Sequence, residues 1–149
     1  MHVKDACEFV YPKGIRFRCV KCALCCGDTA VRVRRVLFLR VEAERIMRFT
    51  GKSVDLFAER VVGFEPYVFE MRKNADGRCV FLEGNLCGIY RVRPLICVFY
   101  PFELKEVGEN RFAFAFTGEC PAVGKGYRLR RSYFGKLFAK FVRVMEENG

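Results

Sequence analysis

The clearest hydrophobic pattern of the chain lies near its end, over residues 127–147. Four apolar residues recur there at helical spacing: Phe134, Phe138, Phe141 and Met145. Three cations fall on the opposite side: Lys136, Lys140 and Arg143. This spacing is typical of an amphipathic helix. The pattern predicts a C-terminal helix whose basic side is solvated, and a nucleic-acid or partner surface on that side is the less favoured alternative.

Alternation of apolar and polar residues in the middle of the chain predicts two β-hairpins. The stronger prediction joins strands over 102–107 and 111–116 through a Gly-Glu-Asn turn, because period-two alternation gives each strand one inward face. The other joins strands over 67–72 and 78–82 through a turn that ends in Gly77.

Shorter elements are predicted around these hairpins. Residues 31–39 alternate as a strand, and residues 41–49 have helical spacing with Gly51 as the stop. A second short helix should run from Ser53 to about residue 61. The stretch 86–101 should contain one or two helical turns, because its Arg-Pro pair places a proline where a helix can begin.

Length and composition place these elements in one small α+β domain over residues 1–149. The 149 residues are 52% hydrophobic and include 16 Phe, enough for a real core and too apolar for disorder. No apolar run has the length of a membrane span, and the first residues lack the pattern of a secretory signal. We therefore expect a cytoplasmic protein that does not enter membranes.

The nine cysteines are arranged in a way that packing does not explain. Four lie within eight residues, in the run Cys19-Val-Lys-Cys22-Ala-Leu-Cys25-Cys26. Four more follow downstream: Cys79, Cys87, Cys97 and Cys120. Thiolates converge in this way on zinc or on the iron of iron–sulfur clusters. A disulfide framework is the alternative, and a reducing compartment and the vicinal pair both disfavour it.

Eight thiolates are enough for two tetrahedral metal sites, two clusters or one polynuclear centre. Adjacent thiols point in different directions from an extended backbone, so we expect Cys25 and Cys26 on different metals or different faces of one centre. Our hypothesis divides the cysteines into two groups of four. The first group is Cys19, Cys22, Cys25 and Cys120. The second group is Cys26, Cys79, Cys87 and Cys97.

The residues outside the eight motif cysteines offer few alternatives to a metal site. Cys7 lacks ligand spacing, and His2 is the single histidine, so His-based zinc hydrolases and Ser-His triads lack their parts. Asp28 and Glu119 flank the ligands and either support them or are simply solvated. The formal charge of +10 points to nucleic acid. Eight thiolates remove eight charges and two divalent metals return four, which leaves about +6 and weakens that case.

The motifs resemble those of the cysteine-cluster family of zinc- or iron-chelating proteins that is named for its C-x-x-C-x-x-C-C run. The run at 17–26 is similar to the family's opening, and five later elements also agree: Cys79-Val-Phe-Leu, Cys87-Gly-Ile-Tyr90, Arg93-Pro94-Leu-Ile-Cys97, Tyr100-Pro101-Phe102 and Glu119-Cys120-Pro121. The resemblance spans about residues 17–121 and implies metal chelation. Similarity to flagellin lysine N-methylases implies, as an alternative, an iron–sulfur enzyme that uses S-adenosylmethionine.

Three hypotheses follow. The first is a metal-binding module, the second is an iron–sulfur enzyme that methylates protein lysine, and the third is a nucleic-acid adaptor stapled by zinc. Tyr90 and Arg93 belong to the family motif without being ligands. Arg93 either donates hydrogen bonds to thiolates or begins a helix together with Pro94. The sequence names neither the metal nor a substrate.

Overall fold

The computed structural model describes residues 8–19, 26–29, 32–117 and 120–149. The chain divides into two compact units. The aromatic unit consists of Met1–Val20 and Phe99–Gly149, and the cysteine unit is the continuous stretch Lys21–Val98 between them. One domain over residues 1–149 stays a prediction.

Helices and strands both contribute, which confirms the α+β class. The strands in chain order are β1 (Glu8–Val10), β2 (Arg16–Phe17), β3 (Leu37–Phe38), β4 (Ala58–Arg60), β5 (Phe69–Met71), β6 (Leu82–Glu83), β7 (Leu86–Cys87), β8 (Phe102–Gly108), β9 (Arg111–Phe116) and β10 (Val123–Arg128). The α-helices are α1 (Arg40–Thr50), α2 (Leu95–Phe99) and α3 (Arg131–Asn148), and single 3₁₀ turns cover Val54–Leu56 and Tyr90–Val92. Within the described ranges, none of these helices combines the length and the apolar character needed to cross a bilayer.

The aromatic unit is built on the predicted hairpin of β8 and β9, which is confirmed. A third strand, β1, joins β9 in parallel, with Glu8 opposite Arg111. The amphipathic α3 is also confirmed, and its buried Phe138 lies 5.5 Å from Phe112 of β9 between ring centres.

The start of the predicted C-terminal helix is wrong. The helix begins at Arg131 instead of residue 127, and the preceding residues form β10. Gly124 and Gly126 have φ angles of 95° and 82°. A right-handed helix cannot contain these angles, and glycine adopts them without the strain that a Cβ would cause.

The cysteine unit contains a three-stranded antiparallel sheet in the order β3-β5-β4. The helix predicted over residues 41–49 is confirmed as α1, and it ends at Gly51, which has the left-handed conformation with φ of 72°. The strand predicted over 31–39 was too long, because within the described residues only β3 forms a strand there, and Arg32 makes a single bridge to Thr29. The helix predicted from Ser53 was also too long, since the chain makes one 3₁₀ turn and then pairs as β4.

The hairpin predicted over residues 67–72 and 78–82 is wrong in its partners. The turn at 74–77 forms, with the Asn74 N–H donating to Arg78 O at 2.7 Å. However, β5 pairs with β3 and β4. Within the described residues, the segment after the turn meets the one before it through the single bridge of Cys79 to Lys73, while Arg78 bridges to Gly27 and Leu82 belongs to β6. Strands β3 and β4, which both precede β5 in the chain, occupy its two edges, so the segment that follows the turn does not pair with it.

Candidate metal centre

All four cysteines of the second predicted group lie at one hydrophobic core. Cys79 is a buried member of the core cluster of the cysteine unit, and three partly buried cysteines pack against the same cluster: Cys26, Cys87 and Cys97. Of these four cysteines, Cys26 and Cys97 are far apart in sequence. The fold therefore carries thiols from four separate segments to one core.

A tight backbone contact joins the segments that carry Cys26 and Cys79. The Cys79 N–H donates to the Cys26 carbonyl oxygen, and the Asp28 N–H donates to Gly77 O at 3.0 Å. A Cβ on Gly27 would lie 3.1 Å from the same Gly77 oxygen. Glycine after Cys26 therefore allows the two chains to approach each other.

A second tight turn positions Cys87. Its strand β7 pairs with β6, so that Cys87 stands opposite Leu82. The Gly88 N–H then donates to Phe81 O at 2.8 Å. A Cβ on Gly88 would lie 2.9 Å from that oxygen, closer than real Cβ contacts permit. Here too, the residue after a cysteine is a glycine that permits close packing.

The helix that carries Cys97 is attached to α1 by a buried carboxylate. Glu42 is 4% exposed, and its Oε2 accepts a hydrogen bond from the Leu95 N–H at 2.6 Å. Its Oε1 accepts from the Leu39 N–H at 3.0 Å. The pKa of the Tyr67 hydroxyl is raised, first because Tyr67 itself is buried and second because of the negative charge of Glu42. One side chain thus joins two helix starts.

Arg34 is the second buried charged residue at this core, at 6% exposure. Its Nη2 lies 3.5 Å from the carbonyl oxygen of Ile96, the residue before Cys97. Our sequence analysis missed both Glu42 and Arg34. The spacing Leu39-x-x-Glu42, in which a glutamate in the first turn of a helix reaches back to its start, could have identified the carboxylate.

Asp28, one of the two predicted supporting carboxylates, takes part in an ion pair. Its Oδ1 lies 2.8 Å from Lys73 Nζ and 2.6 Å from the Arg34 backbone nitrogen. The hydrogen bond from Lys73, followed by the one from the Arg34 N–H, lowers the pKa of Asp28. Asp28 therefore fixes the chain that leaves Cys26. The other predicted carboxylate, Glu119, lies outside the described residues.

Arg93 lies between Cys87 and Cys97 in sequence, two residues before the start of α2. Its guanidinium carbon lies 4.0 Å from the centre of the exposed Tyr90 ring, which indicates a cation–π contact. Its buried Nε has no hydrogen-bond partner among the residues that the structure describes. A buried guanidinium nitrogen without an acceptor is unusual.

The structure does not assemble a complete site from the residues it describes. Over residues 8–19, 26–29, 32–117 and 120–149, no three His, Cys, Asp or Glu side chains are grouped so that they could hold a metal ion. In the first predicted group, Cys19 is exposed and Cys120 is buried, both in the aromatic unit. The other two members of that group, Cys22 and Cys25, lie outside the described residues, as do His2 and Cys7, which were not predicted as ligands.

The donor chemistry nevertheless fits zinc or iron. Cysteine sulfur is the donor that structural zinc and iron–sulfur clusters prefer. A family model named CxxCxxCC and described as "Putative zinc- or iron-chelating domain" matches residues 18–121. The chain belongs to the CxxCxxCC family. This membership confirms the resemblance read from the motifs and supports the coarse assignment of zinc or iron chelation.

Two relatives of this CxxCxxCC chain come from Methanocaldococcus jannaschii. The uncharacterized protein MJ0661 is 32% identical over 99 residues, which cover 64% of this chain and 50% of that protein. The uncharacterized protein MJ0939 is 27% identical over 119 residues, or 76% of this chain and 39% of that protein. The chain thus spans half or less of the length of these relatives. No solved structure matches it.

Proposed function

We propose that this CxxCxxCC protein binds zinc or iron through its eight motif cysteines, and that Cys26, Cys79, Cys87 and Cys97 form one ligand group within the cysteine unit. The observation that carries the proposal is that these four thiols lie in or against one buried core. The first predicted group, Cys19, Cys22, Cys25 and Cys120, remains a prediction. Whether the metals are single ions or clusters follows from the spectrum of the protein.

A buried cysteine often serves as a small hydrophobic residue. That explanation is sufficient for one thiol. Four thiols at one core, two of them followed by a glycine that permits tight backbone packing, favour ligation. The buried Arg34 adds a positive charge beside the helix of Cys97, and such a charge offsets that of thiolates.

The test is metal analysis of single Cys→Ser variants purified without oxygen. We expect Cys97→Ser to lose bound metal, because a missing ligand opens the coordination shell. Cys7→Ser is the matched control, since Cys7 lies outside the motif, and it should keep the full amount. Equal metal content in the two variants would refute the ligand assignment.

A loss of metal could also follow from damage to the core. Ile89→Val trims the same core at a residue that is 2% exposed, and it should cost about 0.5–1.5 kcal/mol. We expect this variant to melt earlier and to retain its metal. If Ile89→Val also releases metal, the cysteine variants report core damage and not ligation.

Cys26 distinguishes two sites from one. If it belongs to a separate group, Cys26→Ser should release about one metal of two and leave the other, as expected for independent sites. Loss of all metal would indicate a single polynuclear centre. Visible absorption of the parent protein would identify iron–sulfur clusters, whereas a colourless protein that contains zinc would identify mononuclear ions. The lysine-methylation alternative stays a prediction that rests on the resemblance.

A further inference from the structure

The antiparallel pair of β2 and β10 in the aromatic unit carries charge of one sign only. We call residues 13–18 together with 120–131 the basic ribbon. It contains seven Lys and Arg residues and neither Asp nor Glu. All seven cations are exposed: Lys13, Arg16, Arg18, Lys125, Arg128, Arg130 and Arg131. The basic ribbon is therefore a concentrated positive surface.

The two strands of the basic ribbon do not pair residue by residue. Val123 stands opposite Phe17, and Arg128 stands opposite Arg16. The paired residues Phe17 and Arg16 are adjacent on β2, whereas four residues, 124–127, lie between the paired positions on β10. Residues 124–127 therefore form a bulge. Bulges re-aim side chains and are frequent beside binding sites.

The bulge brings a cation and an aromatic ring to the surface. A Cβ on Gly126 would lie 2.5 Å from the Cβ of Arg18, so glycine permits Arg18 to lie directly against the bulge. The next residue, Tyr127, is 79% exposed. Packing does not explain a tyrosine with so much of its ring in water.

The cations of the basic ribbon differ from those of the cysteine unit. In the cysteine unit, Arg35, Arg72 and Lys73 each form an ion pair with a carboxylate, at 2.6–2.8 Å. Among the described residues, no cation of the basic ribbon takes part in an ion pair. The ribbon's charge is thus available to an external anion.

We propose that the basic ribbon binds single-stranded nucleic acid, with Tyr127 stacked on a base and Arg18, Lys125 and Arg128 in contact with phosphates. Phosphates attract an array of cations that no carboxylate neutralises. An exposed ring adds the stacking that single strands offer and duplexes conceal. An acidic peptide would use the cations and leave the ring without a role.

The test is fluorescence anisotropy with a labelled oligo(dT) of about 20 nucleotides over a series of salt concentrations. Lys125→Gln/Arg128→Gln removes two phosphate contacts, so the slope of log affinity against log salt should flatten by about 1.4. The matched control, Lys136→Gln/Arg143→Gln, removes the same charge from exposed positions of α3 and should leave the slope unchanged. Equal effects of the two variants would overturn the ribbon assignment.

Stacking is tested separately at Tyr127. Tyr127→Ala should weaken binding about 5- to 100-fold, whereas Tyr127→Phe, which keeps the ring, should bind as the parent does. No effect of Tyr127→Ala would overturn the proposal. So would competition by polyphosphate as strong as that by oligo(dT), or preferential binding to phosphatidylserine vesicles, because either result assigns the surface to another kind of anion. Thermal melting confirms that each variant folds.

Discussion

The two units of this protein use different means to fill their cores. The aromatic unit packs rings on rings, and Phe134 alone has four ring partners at 5.0–5.3 Å between centres. The cysteine unit has fewer ring contacts, with Phe38, Phe57, Phe69 and Phe81 in one short series, and places four thiols at its core. Rings gain stability from burial alone, whereas a set of thiols gains much of its stability from a bound metal. The units should therefore respond differently to the same perturbation.

Metal removal should have the largest effect. Structural zinc supplies roughly 10–16 kcal/mol of apparent binding energy in small peptides, and the cysteine unit should lose much of its stability with its metal. We expect hydrogen exchange to accelerate strongly in α1 and β5 after chelation under reducing conditions. The hairpin of β8 and β9 and the helix α3 should stay protected. If chelation left the hydrogen exchange of both units unchanged, the proposed dependence of the cysteine unit on metal would be refuted.

The reverse perturbation is Phe134→Ala in the aromatic unit. Phe134 has no exposed surface, so its loss should cost about 3–5 kcal/mol through the lost contacts and the cavity. Chemical denaturation measures the cost, and metal analysis should show that the folded variant still binds its full amount. Metal loss in this variant would show that the stabilities of the two units are not separable.

A smaller effect within the cysteine unit should follow from Glu42→Ala. The buried N–H groups of Leu39 and Leu95 would each lose an acceptor, at roughly 1–3 kcal/mol apiece. Glu42→Gln keeps one acceptor oxygen and should recover part of the loss. Denaturation of both variants provides the measurement. If Glu42→Ala were as stable as the parent, Glu42 would not stabilise the starts of the two helices.

The smallest effect concerns the surface ion pairs of the cysteine unit. Hydrogen bonds from Arg35 lower the pKa of Glu70 below its ordinary value of 4.5. The pair therefore stabilises the fold above about pH 4.5, and this contribution disappears as the pH falls through the lowered pKa. Both side chains are partly exposed, so the effect should stay below about 1 kcal/mol. Glu70→Gln should flatten the dependence of stability on pH in that window.

Local patterns predicted the elements whose partners are adjacent in sequence. The hairpin of β8 and β9 and the stop of α1 at Gly51 depend on a turn or a cap a few residues long. Strand β5 was predicted, but its pairing was wrong. Its partner β3 comes from a distant segment that no local signal identifies, and the residues of its other partner, β4, were assigned to a helix. Strand β10 and its bulge were not predicted, because the apolar spacing of residues 127–147 was given more weight than the glycines at 124 and 126.

The candidate site was predictable in its chemistry and only partly in its supporting residues. The close spacing of the cysteines at 19–26 indicated metal ligation, whereas the assignment of Cys79, Cys87 and Cys97 to one group came from the number of cysteines and stays a prediction. Nothing in the spacing of a buried carboxylate shows which distant N–H it meets, so the contact of Glu42 with Leu95 required coordinates. The same holds for Arg34, which reads as one cation among many in a basic stretch and is nevertheless buried.

The division of the chain has a consequence for its synthesis. The cysteine unit is one uninterrupted stretch, Lys21–Val98, whereas the aromatic unit needs β1 to pair with β9 about a hundred residues later. A ribosome therefore delivers every residue of the cysteine unit before β8 and β9 exist. Domains fold as units while the chain emerges. We expect stalled nascent chains exposed through residue 98 to protect α1 from protease when zinc is supplied, so that metal capture precedes completion of the aromatic core.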